Sequence, residues 1–272
     1  MKINIFDNNF TPRSKSSTSG KQPKLFSYVF RENEFSGVTI YTDSFFGKAE
    51  TTKSDMKIAW QVESPAFSKP PSNPEYFDQI WTYDDELINR NPRLYRRGNF
   101  GGTRVKEPQM YPKSRHICII DSGKRKLPGH RLRGQIAKEL DIDVYGRSTK
   151  PFGNEADVYK DYRFAVVVEN IQHPNYFSEK LTDALACGCI PIYRGSRQNA
   201  EALFPGLIHF QTIQELKAIL PTLTAEFYKK NKSTEHMEKI AREFNTTEEW
   251  LLTENYIRRP LVAMKKKEGR SE

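Results

Sequence analysis

Residues 163–196 read RFAVVVENIQHPNYFSEKLTDALACGCIPIYRGS. After its first residue the run 163–168 is continuously apolar, which is typical of a strand buried on both faces of a parallel sheet. The pattern of residues 178–187 predicts a helix, and Gly188 fits the position just beyond its end. Residues 190–193 predict the next strand. The order of strand, helix and strand indicates a βαβ unit.

The rest of the second half of the chain has the same alternation. We predict strands over 116–121 and 142–145, helices over 129–140 and 155–161, and mainly helix after residue 212. Strands that alternate with helices form a parallel sheet with right-handed crossovers. In such a sheet, ligands bind beyond the carboxyl ends of the strands. The fold class is therefore α/β, with a ligand site expected at that edge.

The first half predicts a second, shorter set of elements. Strands are expected over 2–6, 38–41, 56–62 and 78–83, and the residues 24–32 are predicted to be helical. Residues 89–114 are rich in Arg, Gly and Pro, and form the candidate interdomain connection. We predict an acceptor-side domain over 1–110, a donor-binding domain over 111–250, and a C-terminal helix with a basic tail over 251–272.

The composition limits the class of protein and the class of partner. The chain has 272 residues, 37% hydrophobic and 28% charged, with a net charge of +9. These values indicate a globular protein with an anionic partner, which could be a nucleotide sugar, a nucleic acid or a membrane surface. No membrane span and no signal peptide are predicted at the N-terminus, so we expect a cytoplasmic protein. Three cysteines at these spacings predict neither a disulfide framework nor a zinc site.

The chemistry-bearing residues cluster after the buried strand of the opening stretch. Glu169 and Asn170 follow that strand directly, and Ser178, Glu179 and Lys180 open the next helix. A helix N-terminus presents free N–H groups and a positive dipole end, which favour a phosphate group. The Lys180 ammonium adds a full charge there, and the Glu179 carboxylate could accept hydrogen bonds from ribose hydroxyls. Each residue alone is also compatible with an ordinary solvated helix start.

The segments VEN, NYFSEKLTDAL and GCIPIYRGS resemble the donor-binding motif of the α-1,3-fucosyltransferases, glycosyltransferase family 10. The step of six residues from Asn170 to Tyr176 and the Glu179-Lys180 pair match that motif. The resemblance extends over about residues 113–228. It implies two Rossmann-like domains facing a cleft, a GT-B-like arrangement with parallel sheets. It also implies inverting transfer of fucose from GDP-fucose to a glycan hydroxyl, of α-1,3 type.

The resemblance also implies roles for individual residues. Those expected to contact the ribose, sugar and pyrophosphate of the donor are Asn170, Tyr176, Glu179 and Lys180. Glu169 is expected at the sugar end of the pocket. The family has an arginine in the preceding βα unit that pairs with the pyrophosphate, and Arg133 is the match here, with Arg131 as a near competitor. The sequence departs from the family at Val168 and Ile171, where phenylalanine and serine are common.

A second resemblance lies in the first half of the chain. KIAWQVESPAF (57–67) resembles the W-x-x-ESP segment of animal members, whose glutamate is proposed to deprotonate the acceptor hydroxyl. That glutamate corresponds to Glu63. An inverting transfer needs one carboxylate near the acceptor oxygen and cationic groups around the departing diphosphate. No Asp-x-Asp motif stands at a strand end, so neither a metal nor any other cofactor is expected to be essential.

Two alternatives stay open at the level of sequence. One keeps the fold but uses another GDP-hexose or another nucleotide sugar, because no residue by itself identifies fucose. The other, from a different class, is a basic nucleic-acid-binding protein, which would need a long basic face. The expected partners are GDP-fucose and a glycan acceptor, with no nucleic acid. Weak association of the basic tail with an anionic membrane surface is also compatible with its charge.

Overall fold

A computed structural model describes residues 2–7, 26–98 and 102–243 of the chain. Two parallel sheets, each with its own helices and loops, account for its architecture. Within the described residues no helix combines the length and the apolar character that crossing a membrane requires.

The first sheet has six strands, all parallel, in the order β2-β1-β3-β4-β5-β6. In chain order these strands are β1 (Lys2–Phe6), β2 (Ser27–Phe30), β3 (Glu34–Thr42), β4 (Lys53–Trp60), β5 (Gln79–Thr82) and β6 (Tyr95–Arg97). Helix α1 (Asp85–Arg90) and two 3₁₀ helices, Asp43–Glu50 and Pro74–Tyr76, connect them.

The second sheet has five strands, again all parallel, in the order β11-β10-β9-β7-β8. Its strands are β7 (Arg115–Ile120), β8 (Asp143–Tyr145), β9 (Tyr162–Val168), β10 (Ile190–Arg194) and β11 (Ile208–His209). The helices among and after them are α2 (Pro128–Glu139), α3 (Glu155–Tyr159), α4 (Glu179–Ala186), α5 (Gln198–Leu203), α6 (Ile213–Ile219), α7 (Ala225–Asn231) and α8 (Thr234–Glu243), with a 3₁₀ turn at Leu220–Thr222.

The two sheets share one winding pattern. In each, the first strand lies between the second and third strands, so the direction of winding reverses beside the first strand. The reversal lies between β1 and β3 in the first sheet and between β7 and β9 in the second. A crevice for ligands opens at such a point, beyond the carboxyl ends of the strands. The predicted α/β class with two Rossmann-like domains and parallel sheets is confirmed.

Strand β9 shows why the opening stretch of sequence is so apolar. Ala165 and Val167 pack into one hydrophobic cluster with helix α4, whereas Phe164, Val166 and Val168 pack into the cluster on the opposite face of the sheet. A strand covered on both faces needs apolar side chains at every position. At the end of α4, Gly188 has φ +71°, the left-handed conformation that glycine tolerates best.

One helix was predicted wrongly, and the predicted interdomain connection over 89–114 contains strand β6, which pairs with β5 in the first sheet. Two further predictions cannot be compared with the structure. The described part of 24–32 contains strand β2 rather than a helix, because Tyr28 is buried against the first-domain core and β2 pairs in parallel with β1. The predicted C-terminal helix and basic tail at 251–272 lie outside the described residues. The sheets occupy 2–97 and 115–209, and the domain limits at residues 110 and 250 stay predictions.

Candidate active site

Arg133 lies at the crevice between β7 and β9, although it comes from helix α2. Its side chain is only 4% exposed, and its guanidinium donates hydrogen bonds to the backbone carbonyl of Val168 and, at 2.9 Å, to the side-chain oxygen of Asn170. Burial lowers the pKa of Arg133, although carboxylates including those of Glu169 and Asp121 oppose the shift. Arg131, two residues earlier, is exposed and donates to the Lys126 carbonyl. The structure therefore places Arg133, not Arg131, at the predicted site.

Helix α2 reaches this crevice because Gly129 lets it approach the end of β9. A Cβ atom on Gly129 would lie 1.8 Å from the backbone oxygen of Glu169. The Gly129 N–H instead donates to the Asn170 carbonyl at 3.0 Å. A glycine allows this close backbone contact because it has no side chain.

Glu169 is buried and holds the start of helix α4. Its side chain is 1% exposed, and its two carboxylate oxygens accept hydrogen bonds from the backbone N–H and the hydroxyl of Ser178, at 2.9 and 2.7 Å. The Tyr193 hydroxyl also donates to it, at 3.5 Å. Glu169 was predicted to touch the sugar of the donor, and the described geometry gives it an additional part in fixing the loop 169–178.

The tip of helix α4 carries the predicted Glu179 and Lys180. The Lys180 ammonium donates to the Ser178 hydroxyl at 3.0 Å and to the Glu179 carboxylate at 3.1 Å. Burial favours the neutral form of Lys180, but the carboxylates of Glu179 and Glu169 outweigh burial and raise its pKa. Burial also favours neutral Glu179, but Lys180 and then Arg104 outweigh it and lower the pKa of Glu179 to about 2. Both groups are therefore charged at neutral pH.

The start of helix α2 adds a histidine that is neutral at pH 7. His130 stands in the first turn of α2, and its Nδ1 accepts a hydrogen bond from the Leu127 N–H. Its pKa is lowered first by burial and then by the positive charges of Arg133, Lys124 and Lys180. Arg133, bonded to Asn170, and Lys180, bonded to Ser178, stand at the two ends of the loop 169–178. Cations at both ends of one loop favour an anion, so the arrangement can hold a diphosphate between the starts of α2 and α4.

Arg104 contributes a further charge that the sequence analysis did not single out. Its backbone N–H donates to the buried Asp183 at 2.7 Å, and its guanidinium bonds to Glu155 at 2.9 Å and lies 3.6 Å from Glu179. These carboxylates, Glu179 first, raise the pKa of Arg104 despite burial. No sequence motif marks this residue, because it reaches α4 from the interdomain segment, about eighty positions earlier in the chain.

Tyr176 and its neighbours connect the donor loop to the first domain. Tyr176 packs into the first-domain core, with its ring 5.4 Å from that of Tyr83. The Asn175 side chain donates to the Tyr83 carbonyl at 3.2 Å and to the Asp85 carboxylate at 2.7 Å. Burial is the main cause that raises the pKa of Tyr176, followed by the carboxylates of Glu169, Glu179 and Glu63. Tyr176 and Asn175 therefore join the donor loop to the first domain.

Glu63 lies at a cavity of about 320 Å³ in the first domain, beyond the carboxyl ends of β1, β3 and β4. The polar residues that line this cavity are Asp7, Thr42, Asp43, Ser44, Glu63, Ser68 and Lys69. Phe67 is also part of the lining; its side chain is 52% exposed, and the Lys126 ammonium of the second domain lies 5.9 Å from its ring centroid. The cavity therefore opens beside the boundary between the two domains.

Comparison with known proteins agrees with this geometry. Two Rossmann-like domains that face a cleft define the GT-B class of fold. The family model described as "Glycosyltransferase family 10 (fucosyltransferase) C-term" matches residues 112–251, just over half of the chain. The chain belongs to glycosyltransferase family 10, and the resemblance seen in the sequence is confirmed. This membership favours an enzyme over the nucleic-acid-binding alternative.

Individual relatives are similar over shorter stretches. A 4-galactosyl-N-acetylglucosaminide 3-alpha-L-fucosyltransferase of Homo sapiens is 39% identical over 93 residues, 32% of this chain and 26% of that protein. A 3-galactosyl-N-acetylglucosaminide 4-alpha-L-fucosyltransferase of Pan troglodytes is 37% identical over 100 residues, 34% of this chain and 27% of that protein. The chain thus spans about a quarter of the length of these curated relatives.

Solved structures extend the likeness to both domains. A crystal structure of an alpha1,3-fucosyltransferase with GDP aligns with a TM-score of 0.53 and 15% identity, over 89% of this chain and 82% of that one. One with GDP-fucose aligns with a TM-score of 0.52 and 14% identity, over 97% and 89% of the two chains. At these identities the likeness establishes the fold, and the GT-B-like prediction is confirmed.

Proposed function

We propose that the protein is an inverting fucosyltransferase that transfers fucose from GDP-fucose to a hydroxyl group of a glycan, with an α-1,3-type linkage. The observation that carries this proposal is the pair of cations on the donor loop: Arg133 is bonded to Asn170 at one end of that loop, and Lys180 is bonded to Ser178 at the other. Membership of family 10 and the fold shared with structures holding GDP and GDP-fucose support the choice of donor.

The residues divide the reaction between the two domains. In one displacement, a lone pair of the acceptor oxygen attacks the anomeric carbon of fucose, and the bond from that carbon to the β-phosphate oxygen breaks. The electron pair of the broken bond leaves with GDP, where Arg133 and Lys180 stabilise the added negative charge. The proton of the acceptor hydroxyl passes to the Glu63 carboxylate. A single displacement inverts the configuration at the anomeric carbon.

On the donor side, Glu179 and Asn170 are assigned to recognition. The Glu179 carboxylate stays ionised between Lys180 and Arg104, so it can accept hydrogen bonds from the ribose hydroxyls. The Asn170 side chain accepts from the Arg133 guanidinium and is also hydrogen-bonded to His130, so it joins both groups of α2 to the donor loop. Tyr176 supplies an aromatic wall between the donor loop and the first domain. Glu169 acts mainly by holding Ser178, and through it the tip of α4.

A panel of sugar nucleotides tests the proposal. Thermal unfolding of the full chain is followed with GDP, GDP-fucose, GDP-mannose, UDP-galactose and UDP-N-acetylglucosamine. We expect stabilisation by the three guanosine compounds, followed by release of GDP from GDP-fucose when 4-galactosyl-N-acetylglucosamine is supplied. Stabilisation by the uridine compounds alone would contradict the assigned donor and favour a transferase of the same fold that uses another nucleotide sugar.

A further inference from the structure

Asp43 stands immediately after β3, in the wall of the same cavity as Glu63. Its carboxylate accepts three hydrogen bonds from the chain that follows β4. The Val62 N–H donates to it at 3.1 Å, and the Glu63 N–H donates to its two oxygens at 3.3 and 3.2 Å. From the other side, the Tyr83 hydroxyl donates to the Glu63 carbonyl at 3.2 Å. The peptide units on both sides of the Glu63 side chain are thereby fixed.

The backbone of Asp43 is held in an uncommon conformation to make these bonds. Its φ angle is +36°, in a region that costs residues other than glycine about 1–2 kcal/mol. Aspartate tolerates this region better than most residues, because its side chain bonds to nearby backbone groups. Such strain persists where the surrounding structure requires it, and it is concentrated at functional sites. Here it turns the Asp43 carboxylate towards the segment that carries Glu63.

We propose that Asp43 is a positioning residue for Glu63: its ionised carboxylate accepts the hydrogen bonds that orient the Glu63 backbone at the cavity. The inference rests on the proposed function, in which Glu63 accepts the proton of the acceptor hydroxyl. Hydrogen bonds to an ionised acceptor are about twice as strong as bonds to a neutral one, so Asp43 holds the Glu63 backbone most firmly while it is ionised.

The groups around Asp43 determine how its hydrogen bonds respond to pH. The polar and titratable groups that line the cavity with it or act on it from the surrounding elements are Asp7, Thr42, Ser44, Glu63, Ser68, Lys69 and Tyr83. Burial, with a contribution from Glu63, raises the pKa of Asp43 to about 6, although hydrogen bonds oppose the shift. As the pH falls through about 6, Asp43 takes up a proton, and the hydrogen bonds that it accepts from the Val62 and Glu63 N–H groups weaken.

Two substitutions of Asp43 separate its charge from its hydrogen bonds. Asp43→Asn keeps an oxygen that can accept from the Val62 and Glu63 N–H groups but removes the charge, whereas Asp43→Ala removes both. The matched control is Asp78→Asn, because Asp78 also accepts a hydrogen bond from a backbone N–H, that of Lys57 at 2.7 Å, but lies outside the cavity lining. Glu63→Gln is measured in parallel.

The experiment records the release of GDP from GDP-fucose between pH 4.5 and 8.5, with water or 4-galactosyl-N-acetylglucosamine as the acceptor, and the affinity for GDP. We expect Asp43→Asn to bind GDP like the parent. Its kcat at pH 7.5 should be about tenfold lower, because a neutral acceptor holds the Glu63 backbone less firmly, and its pH profile should lack the fall near pH 6 that protonation of Asp43 causes in the parent. Asp43→Ala should lose more activity, and Asp78→Asn should match the parent.

The outcomes distinguish this inference from the function on which it depends. If Glu63→Gln releases GDP at the parent's rate, both the assignment of the base and the inference are overturned. If Glu63→Gln is inactive but Asp43→Asn has the kcat and pH profile of Asp78→Asn, the inference alone is overturned. A lower kcat in Asp43→Asn together with the same fall near pH 6 as in the parent would show that the charge of Asp43 has no part in placing Glu63, and the inference as stated is overturned.

Discussion

The guanidinium of Arg133 donates a 2.9 Å hydrogen bond to the side-chain oxygen of Asn170. This bond joins helix α2 to the loop that follows β9, so the two βα units on either side of the crevice act as one site. The same guanidinium also bonds to the carbonyl of Val168, the last residue of β9. These two contacts hold the Arg133 side chain in place, which would reduce the entropic cost of binding the proposed diphosphate.

Removal of the positive charge at the tip of α4 should weaken the binding of nucleotide. Lys180→Ala deletes an ammonium whose pKa is raised by Glu179 and Glu169, and a charge-assisted contact contributes about 1.5–3 kcal/mol. We expect GDP to bind about tenfold to a hundredfold more weakly in calorimetric titration. Lys138→Ala, which removes an exposed lysine from the side of α2, is the control. Equal affinity of both variants for GDP would remove Lys180 from the site.

Loss of the proposed base should affect transfer and leave donor binding unchanged. Glu63→Gln keeps the size of the side chain but cannot accept the proton, and a general base contributes about a hundredfold to ten-thousandfold in rate. We expect the affinity for GDP to equal that of the parent, because Glu63 lies in the first domain. Transfer to the acceptor, followed by chromatography of the product, should fall by about that factor. Transfer at the parent's rate would rule out Glu63 as the base.

Substitution by alanine should have opposite effects on stability at two glycines of helix α2. The added Cβ of Gly129→Ala would overlap the backbone oxygen of Glu169, and such overpacking costs about 1–3 kcal/mol. In Gly134→Ala the added Cβ would meet only the end of the half-exposed Arg125 side chain, which can move, and alanine favours helix by about 1 kcal/mol.

Urea unfolding and GDP titration check this pair of glycines. We expect Gly129→Ala to lower both the free energy of unfolding and the affinity for GDP, since the starts of α2 and the donor loop are forced apart. Gly134→Ala should keep or increase the stability and bind GDP like the parent. If Gly129→Ala were as stable as Gly134→Ala, the close approach of α2 to the end of β9 would be refuted.

The buried Asp183 should make the stability depend on pH. Burial is the main cause that raises its pKa to about 8, and the negative charges of Glu179 and Glu155 add to the shift. Since an unfolded aspartate has a pKa of about 3.9, the folded chain binds the extra proton between these values. The contribution of Asp183 to the free energy of unfolding therefore decreases as the pH rises from about 4 to 8.

Asp183→Asn should remove that decrease. Its side-chain oxygen can still accept from the Thr103 hydroxyl and the Arg104 N–H, as the aspartate does. We expect the stability of Asp183→Asn relative to the parent to increase steadily from pH 5 to pH 8 in urea unfolding. Asp157→Asn, at an exposed carboxylate on α3, should run parallel to the parent. A constant difference for Asp183→Asn would show that Asp183 does not take up the proton.

The sequence predicted the elements that hydrophobic pattern alone determines. Strand β9 was recognised because a strand buried on both faces is a continuous apolar run. Helix α4 was recognised because its apolar residues recur on one side of a helix. The motif then identified Arg133 and Lys180, since it was long enough to assign roles by resemblance. The helix predicted over 24–32 was wrong, because the burial of Tyr28 against β1 is a long-range contact that local pattern does not reveal.

The missed residues have a common physical cause. Arg104 reaches Glu179 from the interdomain segment, and Asp43 reaches Glu63 from the end of a neighbouring strand. Neither contact has a fixed spacing along the chain, because each depends on how two elements are placed in the fold. Parallel strands bring their carboxyl ends to one edge of the sheet, so the sequence predicts that a ligand site lies at this edge. It does not predict which side chains from different elements come into contact there.

The most direct test of whether the crevice holds a diphosphate compares the affinities for GDP of two variants, each with one arginine of helix α2 replaced. Arg133 is buried at the crevice and Arg131 is exposed two residues away, so Arg133→Ala and Arg131→Ala remove the same charge from different places. Calorimetric titration should give a dissociation constant for GDP that is about tenfold to a hundredfold higher in Arg133→Ala and unchanged in Arg131→Ala. Equal affinities of the two folded variants would contradict the account.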